Sequence, residues 1–331
     1  MTNLYIKSLQ LFAVQTTGTA TLSAEMKTFY DKALIEQATA KLVHDQFGQK
    51  RPIPQGGGKT IEFRQFAKLN KALTALTEGV TPAGSALSVS TITATVSQHG
   101  DFIAVSDVLE LTAIDNIILE ATKTLGNQAG ATLDTITRDV LAAGTNVIYA
   151  PNGSTAAAKR ADLTEACKLT PDLVAQAATQ LKAANAPTID GSYVCIIHPY
   201  VAYDIMTSDA WIDVHKYADP ESIFEGEIGK LYNVRFVETT EAKIWKDATT
   251  PSGLAVFGCI FLGAGAYGVT EVTGGGLQTI IKQKGSAGTA DPLDQRSSIG
   301  WKAIKTAAIL VPDYIVRVEC CSAYSSVAAA N

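Results

Sequence analysis

The sequence predicts an α+β fold: a mixed α/β body that carries one long helix, a projecting two-stranded arm and an N-terminal appendage. Three observations predict it. Apolar residues recur at helical spacing over residues 115 to 143. Alternating strand patterns at 59–66 and 88–105 flank about 20 residues with no pattern, too long for an ordinary connection in a compact domain. From residue 170 onward, helix signals alternate with buried-type strands, and the chain closes in two strand-like runs.

From the N-terminus, residues 1–48 read as an appendage. Thr16 to Leu22 has no periodicity, and a helix is expected from Ser23, its cap, with Met26, Tyr30, Leu34 and Ala38 at every fourth position. Pro52 and Pro54 extend the next stretch, and Gly56, Gly57 and Gly58 bend it. In the strand from Lys59 to Phe66, Ile61 and Phe63 face one way and Thr60, Glu62 and Arg64 the other. A second strand, Ser88 to Val105, alternates Ile92, Ala94 and Val96 with threonines. With ~14 residues a strand, such a ribbon projects about 45 Å. On its own it is marginal in water and needs a partner surface. Its tip offers only Leu69, Leu73 and Leu76, which have no local apolar partners.

The long helix is expected over 115–143. Ile118, Ala121, Leu125, Ala129, Leu133, Ile136, Val140 and Ala143 form its stripe, with Asp115 as cap and Gly144 as stop. Gly126 and Gly130 weaken it by about 1 kcal/mol each, so packing must hold it. Lys123 and Arg138 lie off the stripe, and the C-terminal strands are expected to cover it with Ile304, Ala308, Leu310 and Ile315. Thr170-Pro171 opens a further helix with Leu173, Ala177 and Leu181 on one face. Strands follow at Tyr193 to Ile197, Asn233 to Val237 and Leu254 to Leu262. The final runs are Ile299 to Val311 and Tyr314 to Ala323, with a turn at Pro312-Asp313.

Composition narrows the function. The 331 residues are 47% hydrophobic and 18% charged, against an ordinary charged share of about 25%. With a mean hydropathy of +0.13, the chain is not intrinsically disordered, and much of its surface is expected to face protein. A net charge of −5 argues against a dedicated nucleic-acid binder, since phosphate affinity comes from Lys and Arg. No apolar run reaches the ~18 residues of a membrane helix. The five cysteines show no C-x-x-C spacing, and the four histidines show no zinc spacing.

Motifs that imitate chemistry fail on context. Gly263-Ala-Gly265-Ala-Tyr-Gly268 has the G-x-G-x-x-G form, but the β-like, glycine-ended run after it opens no helix for a pyrophosphate, so a strand-turn-strand is expected. Gly56-Gly57-Gly58-Lys59-Thr60 lacks the earlier glycine of a P-loop, and Lys59 starts a strand. His198 with Asp204 or Asp209 has no accompanying nucleophile, and capping or packing is expected. Cys320-Cys321 places one thiol on each face of the last strand, at least one of them in the core. No catalytic, cofactor-binding or metal-ligating residue is assigned, and no cofactor is expected.

Several segments in order carry a family resemblance. They are Phe29-Tyr30-Asp31-Lys32, Asp45 to Pro54, Lys59 to Arg64, Leu76 to Pro82, Tyr149 after Ala143 to Asn146, Glu227 to Glu238, Gly300-Trp301-Lys302 and Asp313 to Arg317. Together they resemble the major capsid proteins of tailed bacteriophages, in the family named after coliphage N-four, with the Johnson fold shared by phage and herpesvirus capsids. The resemblance implies an N-terminal arm (1–48) reaching over neighbours and an extended β-hairpin loop (49–106) lying across an adjacent subunit. It further implies a peripheral domain with a spine helix (107–165), an axial domain (166–296) and C-terminal strands returning to the peripheral domain (297–331). Candidate subunit-interface residues are Phe29, Tyr30, Arg51, Arg64, Lys68, Lys71, Glu78 and Pro82.

The implied function is a virion shell: pentamers and hexamers of this chain around double-stranded DNA, assembled in the host cytoplasm, with no membrane. Fewer than 50 residues precede the loop, so the implied partners include a separate scaffolding protein, with a portal and decoration (cement) proteins. DNA contact is expected to be non-specific, as suits a mildly acidic subunit. The alternatives are a cellular nanocompartment shell of the same fold and a nucleotide-dependent enzyme at Gly263 to Gly268.

Overall fold

The computed structural model describes residues 32, 34–38, 42–52, 59–66, 69–76, 78–81, 84–112, 117–153, 155–208, 229–251, 253–271, 277–286 and 291–331. The expected cap at Ser23, the residues Met26, Phe29, Tyr30, Lys68, Pro82 and Asp115, and the glycines 56–58 lie outside the described residues.

The N-terminal described segment is helical over 34–38 and then crosses the body to β1 (Gln49–Arg51). A ribbon follows: β2 (Thr60–Phe66) pairs antiparallel with β3 (Val89–Thr95), from Thr60 opposite Thr95 to Phe66 opposite Val89. The expected single strand over 88–105 is instead two. Val96 N–H donates to Lys59 C=O at 2.9 Å and closes the ribbon. The chain then enters β4 (Ser97–Ser106), which has a different partner. The ribbon therefore spans seven residues a strand, about 23 Å rather than 45 Å. A short helix, α1 (Asp107–Thr112), leads to the long helix α2 (Ile117–Ala142).

The body is a seven-stranded mixed sheet. Its strands are β5 (Val147–Tyr149), β6 (Tyr193–Ile197), β7 (Lys230–Leu231), β8 (Val234–Glu238), β9 (Ile244–Trp245), β10 (Val256–Leu262) and β15 (Ile315–Cys320), in the order β5-β15-β10-β6-β8-β7 with β9 on the end of β10. Every residue of β6, β10 and β15 is buried. Strands covered on both faces read as near-continuous apolar runs, as β6 and β10 do, while β15 carries Arg317 and Glu319 within its run. On one face lie α3 (Pro171–Ala183) and α4 (Pro199–Met206), whose Leu173, Ala177, Leu181, Val201 and Ile205 meet Cys195, Phe257 and Phe261. The other face packs Val194, Ile196, Ile260 and Ile315 against Leu141 at the end of α2 and against Tyr267 and Val269 of β11 (Tyr267–Thr270).

Two small sheets complete the chain. β11 joins β1 in parallel and β14 (Ala307–Ile309) antiparallel. β12 (Leu277–Lys282), β13 (Arg296–Lys305) and β4 form an antiparallel sheet with β13 central.

The α2 stripe is rotated from the expected one. Ala121, Leu125, Ala129 and Leu133 are buried as expected, but Ile136 and Val140 are only half-buried, and Asp134, Thr137 and Arg138 are buried instead. Arg138, expected off the stripe, is 1% exposed and donates to Glu241 C=O at 3.0 Å and to Asp139 at 3.1 Å. The covering residues differ in part, although Ile315 does meet α2 at Leu141. Ile299, Trp301 and Ala303 face α2, while Leu310 lies under the ribbon with Ile61, Phe63 and Ala94. Strand alternation explains this, since Ile304 is on the opposite face of β13 from Trp301 and Ala303. Gly126 has a packing reason: a Cβ there would lie 2.9 Å from Gln37 Cβ and 3.0 Å from Leu34 O, so the 34–38 segment crosses α2 where the side chain is absent.

Candidate assembly surfaces

The ribbon is tied at its base and bare beyond it. Ile61, Phe63, Ala94 and Leu310 form their own small core, and Phe63 lies so close to Gly268 that a Cβ would overlap its ring. Past Phe66 the chain exposes Leu69, Leu73, Leu76 and Val80, at 57%, 86%, 76% and 63%. Four large apolar side chains left this exposed in one short segment point to an interaction surface. Arg64, exposed in β2 beside Glu62, and Lys71 and Glu78, both exposed beyond it, lie along this projection. Arg51 is exposed in β1, where its C=O accepts from Glu271 N–H at 2.8 Å.

A second surface flanks the β12-β13-β4 sheet. A shallow groove of about 370 Å³ is lined by Gly100, Phe102, Ile280, Ser298 and Gly300, with Phe102 67% exposed. Beneath it, Gln128 of α2 bridges the sheet. Its amide donates to Asp101 at 2.6 Å and accepts from the Trp301 indole at 3.3 Å. The Gln128 bond holds the Asp101 carboxyl below its ordinary range.

The N-terminal segment is keyed to the body by polar groups. Asp134 accepts the His44 backbone N–H at 2.7 Å and pairs with His44 Nδ1 at 2.7 Å, both side chains fully buried. Asp45 accepts from Thr137 at 2.6 Å and pairs with Lys305 of β13. The Tyr267 hydroxyl donates to His44 C=O. Burial lowers the Lys305 pKa against the pull of Asp45, and burial pushes the Tyr267 phenol well up. A buried ion pair such as Asp45–Lys305 contributes little net stability, but losing one partner is expensive, so it and the His44–Asp134 hydrogen bonds fix one position of the segment against the body. Sequence periodicity missed this key because its members are about ninety or more positions apart and polar. The available signal was the Asp134, Thr137 and Arg138 set on one turn of a helix.

The motifs that imitate chemistry have structural roles. Gly263 to Gly268 connects β10 to β11 through a turn with Gly265 at φ 71°, and the residues that directly follow the turn are strand, not helix. His198 caps α4, its Nδ1 accepting from Tyr200 N–H at 3.2 Å, and burial lowers its pKa. Asp204 accepts from Ala323 N–H. Both Cys320 and Cys321 are fully buried, so the strand end exposes neither face. Burial pushes the Cys321 thiol up to about 12. Among the described residues no three His, Cys, Asp or Glu side chains are grouped to hold a metal, and no helix is long and apolar enough to cross a membrane.

Residues 3–285 match the family model described as phage capsid protein. The chain belongs to the phage capsid protein family. No curated sequence matches it closely enough to count as a relative. Solved structures share its fold at low identity. A capsid structure of the cyanophage P-SCSP1u has a TM-score of 0.64 at 14% identity, over 85% of this chain and 89% of that one. The capsid of Ralstonia phage GP4 gives 0.65 at 16% identity, over 80% and 84%. A virus-like particle from Pyrococcus furiosus gives 0.51 at 11% identity, over 89% and 99%. This capsid protein thus has an α+β fold that resembles the Johnson-type fold of those capsid structures.

Proposed function

We propose that this chain is the major capsid protein of a tailed bacteriophage of the coliphage N-four type, and that its pentamers and hexamers close an icosahedral shell around double-stranded DNA. The observation that carries the reading is the ribbon. Its base is fixed to the body, while Leu69, Leu73, Leu76 and Val80 stand in water. Covering one such side chain stabilises by about 1.5–3 kcal/mol, a gain that a neighbouring subunit would supply. Within this reading the ribbon lies across a neighbouring copy, a separate scaffolding protein directs assembly in the host cytoplasm, and portal and decoration proteins complete the virion. Weak, non-specific contact with packaged DNA accords with the net charge of −5. The fold also serves the reading as a cellular nanocompartment shell, but the family match favours the phage.

Deleting residues 68–85 tests this reading. The subunit is expected to stay soluble and folded, by circular dichroism and size exclusion, and to form few particles in negative-stain microscopy. Outright unfolding would make the segment part of the core. A parent chain that stays monomeric at high concentration, even with its scaffolding partner, would overturn the shell reading itself.

A further inference from the structure

The hairpin between β7 and β8 carries an unrewarded strain. Leu231 pairs with Val234, so the loop is the two residues Tyr232 and Asn233, with φ of 49° and 68°. Such a loop needs positive φ at both positions, which Gly, Asn and Asp reach at least cost. The described residues include five non-glycine positions at positive φ: Asn185, Asp190, Tyr232, Asn233 and Asp294. Four are Asn or Asp, whose short polar side chains ease this conformation; Tyr232 has no such relief.

About half of Tyr232 is left in water, at 51% exposure, while the flanking Leu231 and Val234 are 5% and 0% exposed and already anchor the hairpin. Among the described strands β7 is the edge of the seven-stranded sheet, at the opposite end of the strand order from β5. The ring therefore stands at the rim of the body on a short, rigid loop. A strained residue persists where the surrounding structure or a function requires it. A tyrosine held this way has few conformations left to lose on burial, which suits an interface anchor.

We propose that Tyr232 is an assembly anchor that inserts into a second copy of this chain, at a surface separate from the ribbon. The occupant is a second copy because the chain belongs to the phage capsid protein family, and the shell reading above brings copies of this chain together. The inference rests on the shell reading above and adds to it a named contact on the axial side of the body.

The test is Tyr232→Asn, which gives the loop a residue suited to positive φ and removes the ring. Melting of isolated subunits, below the assembly threshold, is expected at the parent temperature or up to about 4 °C higher, as strain is relieved. The threshold concentration for particle formation, read by light scattering, is expected to rise at least about tenfold, the scale of one buried interfacial tyrosine. A lower melting temperature would mean that the ring stabilises its own subunit, which overturns the anchor. Assembly at the parent threshold would overturn it as well, while leaving the shell reading standing. A parent chain that fails to assemble under every condition sinks both.

Discussion

Charge placement decides the chemistry of single residues in this protein. Glu319 is fully buried in β15 and takes a bidentate contact from Arg160, at 2.6 and 2.8 Å. Arg317 Nε also lies 2.9 Å from it, as a charge contact and not an aligned hydrogen bond. Two guanidiniums thus share one carboxylate. The excess charge is met elsewhere: Arg317 donates to the carbonyls of Ala142 and Gly144, at the negative end of α2, and the Arg160 guanidinium lies 4.1 Å from the Trp245 ring centroid. Asp204 has no such full compensation. Burial raises its pKa, opposed by hydrogen bonds including that from Ala323 N–H. The native state therefore holds this proton more tightly than the unfolded chain, where the value is about 3.9. Its contribution to stability is complete below that value and is lost as pH rises through the raised native pKa. Asp204→Asn keeps one acceptor and removes the titration. Urea denaturation across pH should show a flatter profile from about pH 4 upward, with the variant at least as stable as the parent at neutral pH. Parallel profiles for the two proteins would mean that Asp204 titrates alike in both states.

At the scale of elements, α2 separates folding from assembly. Leu133 is fully buried against the β12-β13-β4 sheet, so Leu133→Ala should cost about 2–5 kcal/mol in denaturant unfolding of isolated subunits. Lys123 is exposed beside Glu120 at 2.8 Å, and Lys123→Ala should change stability by no more than about 0.5 kcal/mol. Equal losses would mean a helix buried all round. The same helix marks how far the sequence was legible. Its existence, length and upper stripe followed from apolar spacing alone. The rotation of the lower half did not, because Asp134, Thr137 and Arg138 are buried by His44, Asp45 and Glu241, remote partners that no local period encodes. Likewise Ile92, Ala94 and Val96 alternate with threonines right up to the point where the strand changes partner, and no Gly or Pro marks a turn there. Elements as short as β1, β5 and β9 have too few residues to show a period. Of the candidate interface residues, Arg51, Arg64, Lys71 and Glu78 are exposed in the structure. The strain at Tyr232 was invisible beforehand, since a backbone angle leaves no mark in composition.

At the scale of the whole molecule, the described residues form one large core and three smaller ones, and they differ in how firmly they are held. β6, β10 and β15 are buried on both faces at the centre of the largest core. The ribbon at the other extreme has only Ala94 buried in β3, and rests on the small cluster of Ile61, Phe63 and Leu310. Amides in a central strand exchange only through global unfolding, whereas a bare ribbon opens locally. In isolated subunits the amides of Ser90 and Thr91 should therefore exchange about a hundredfold or more faster than those of Cys259 and Ile260. Assembly should narrow that gap strongly, because a neighbouring copy would cover the ribbon while the sheet core is already at its limit. Hydrogen exchange read by mass spectrometry before and after particle formation measures both states. Ribbon amides as protected as β10 in the lone subunit would place the ribbon in the core. Ribbon amides that stay fast in finished particles would take it out of the shell's contacts, and the exposed leucines at its tip would then need another partner.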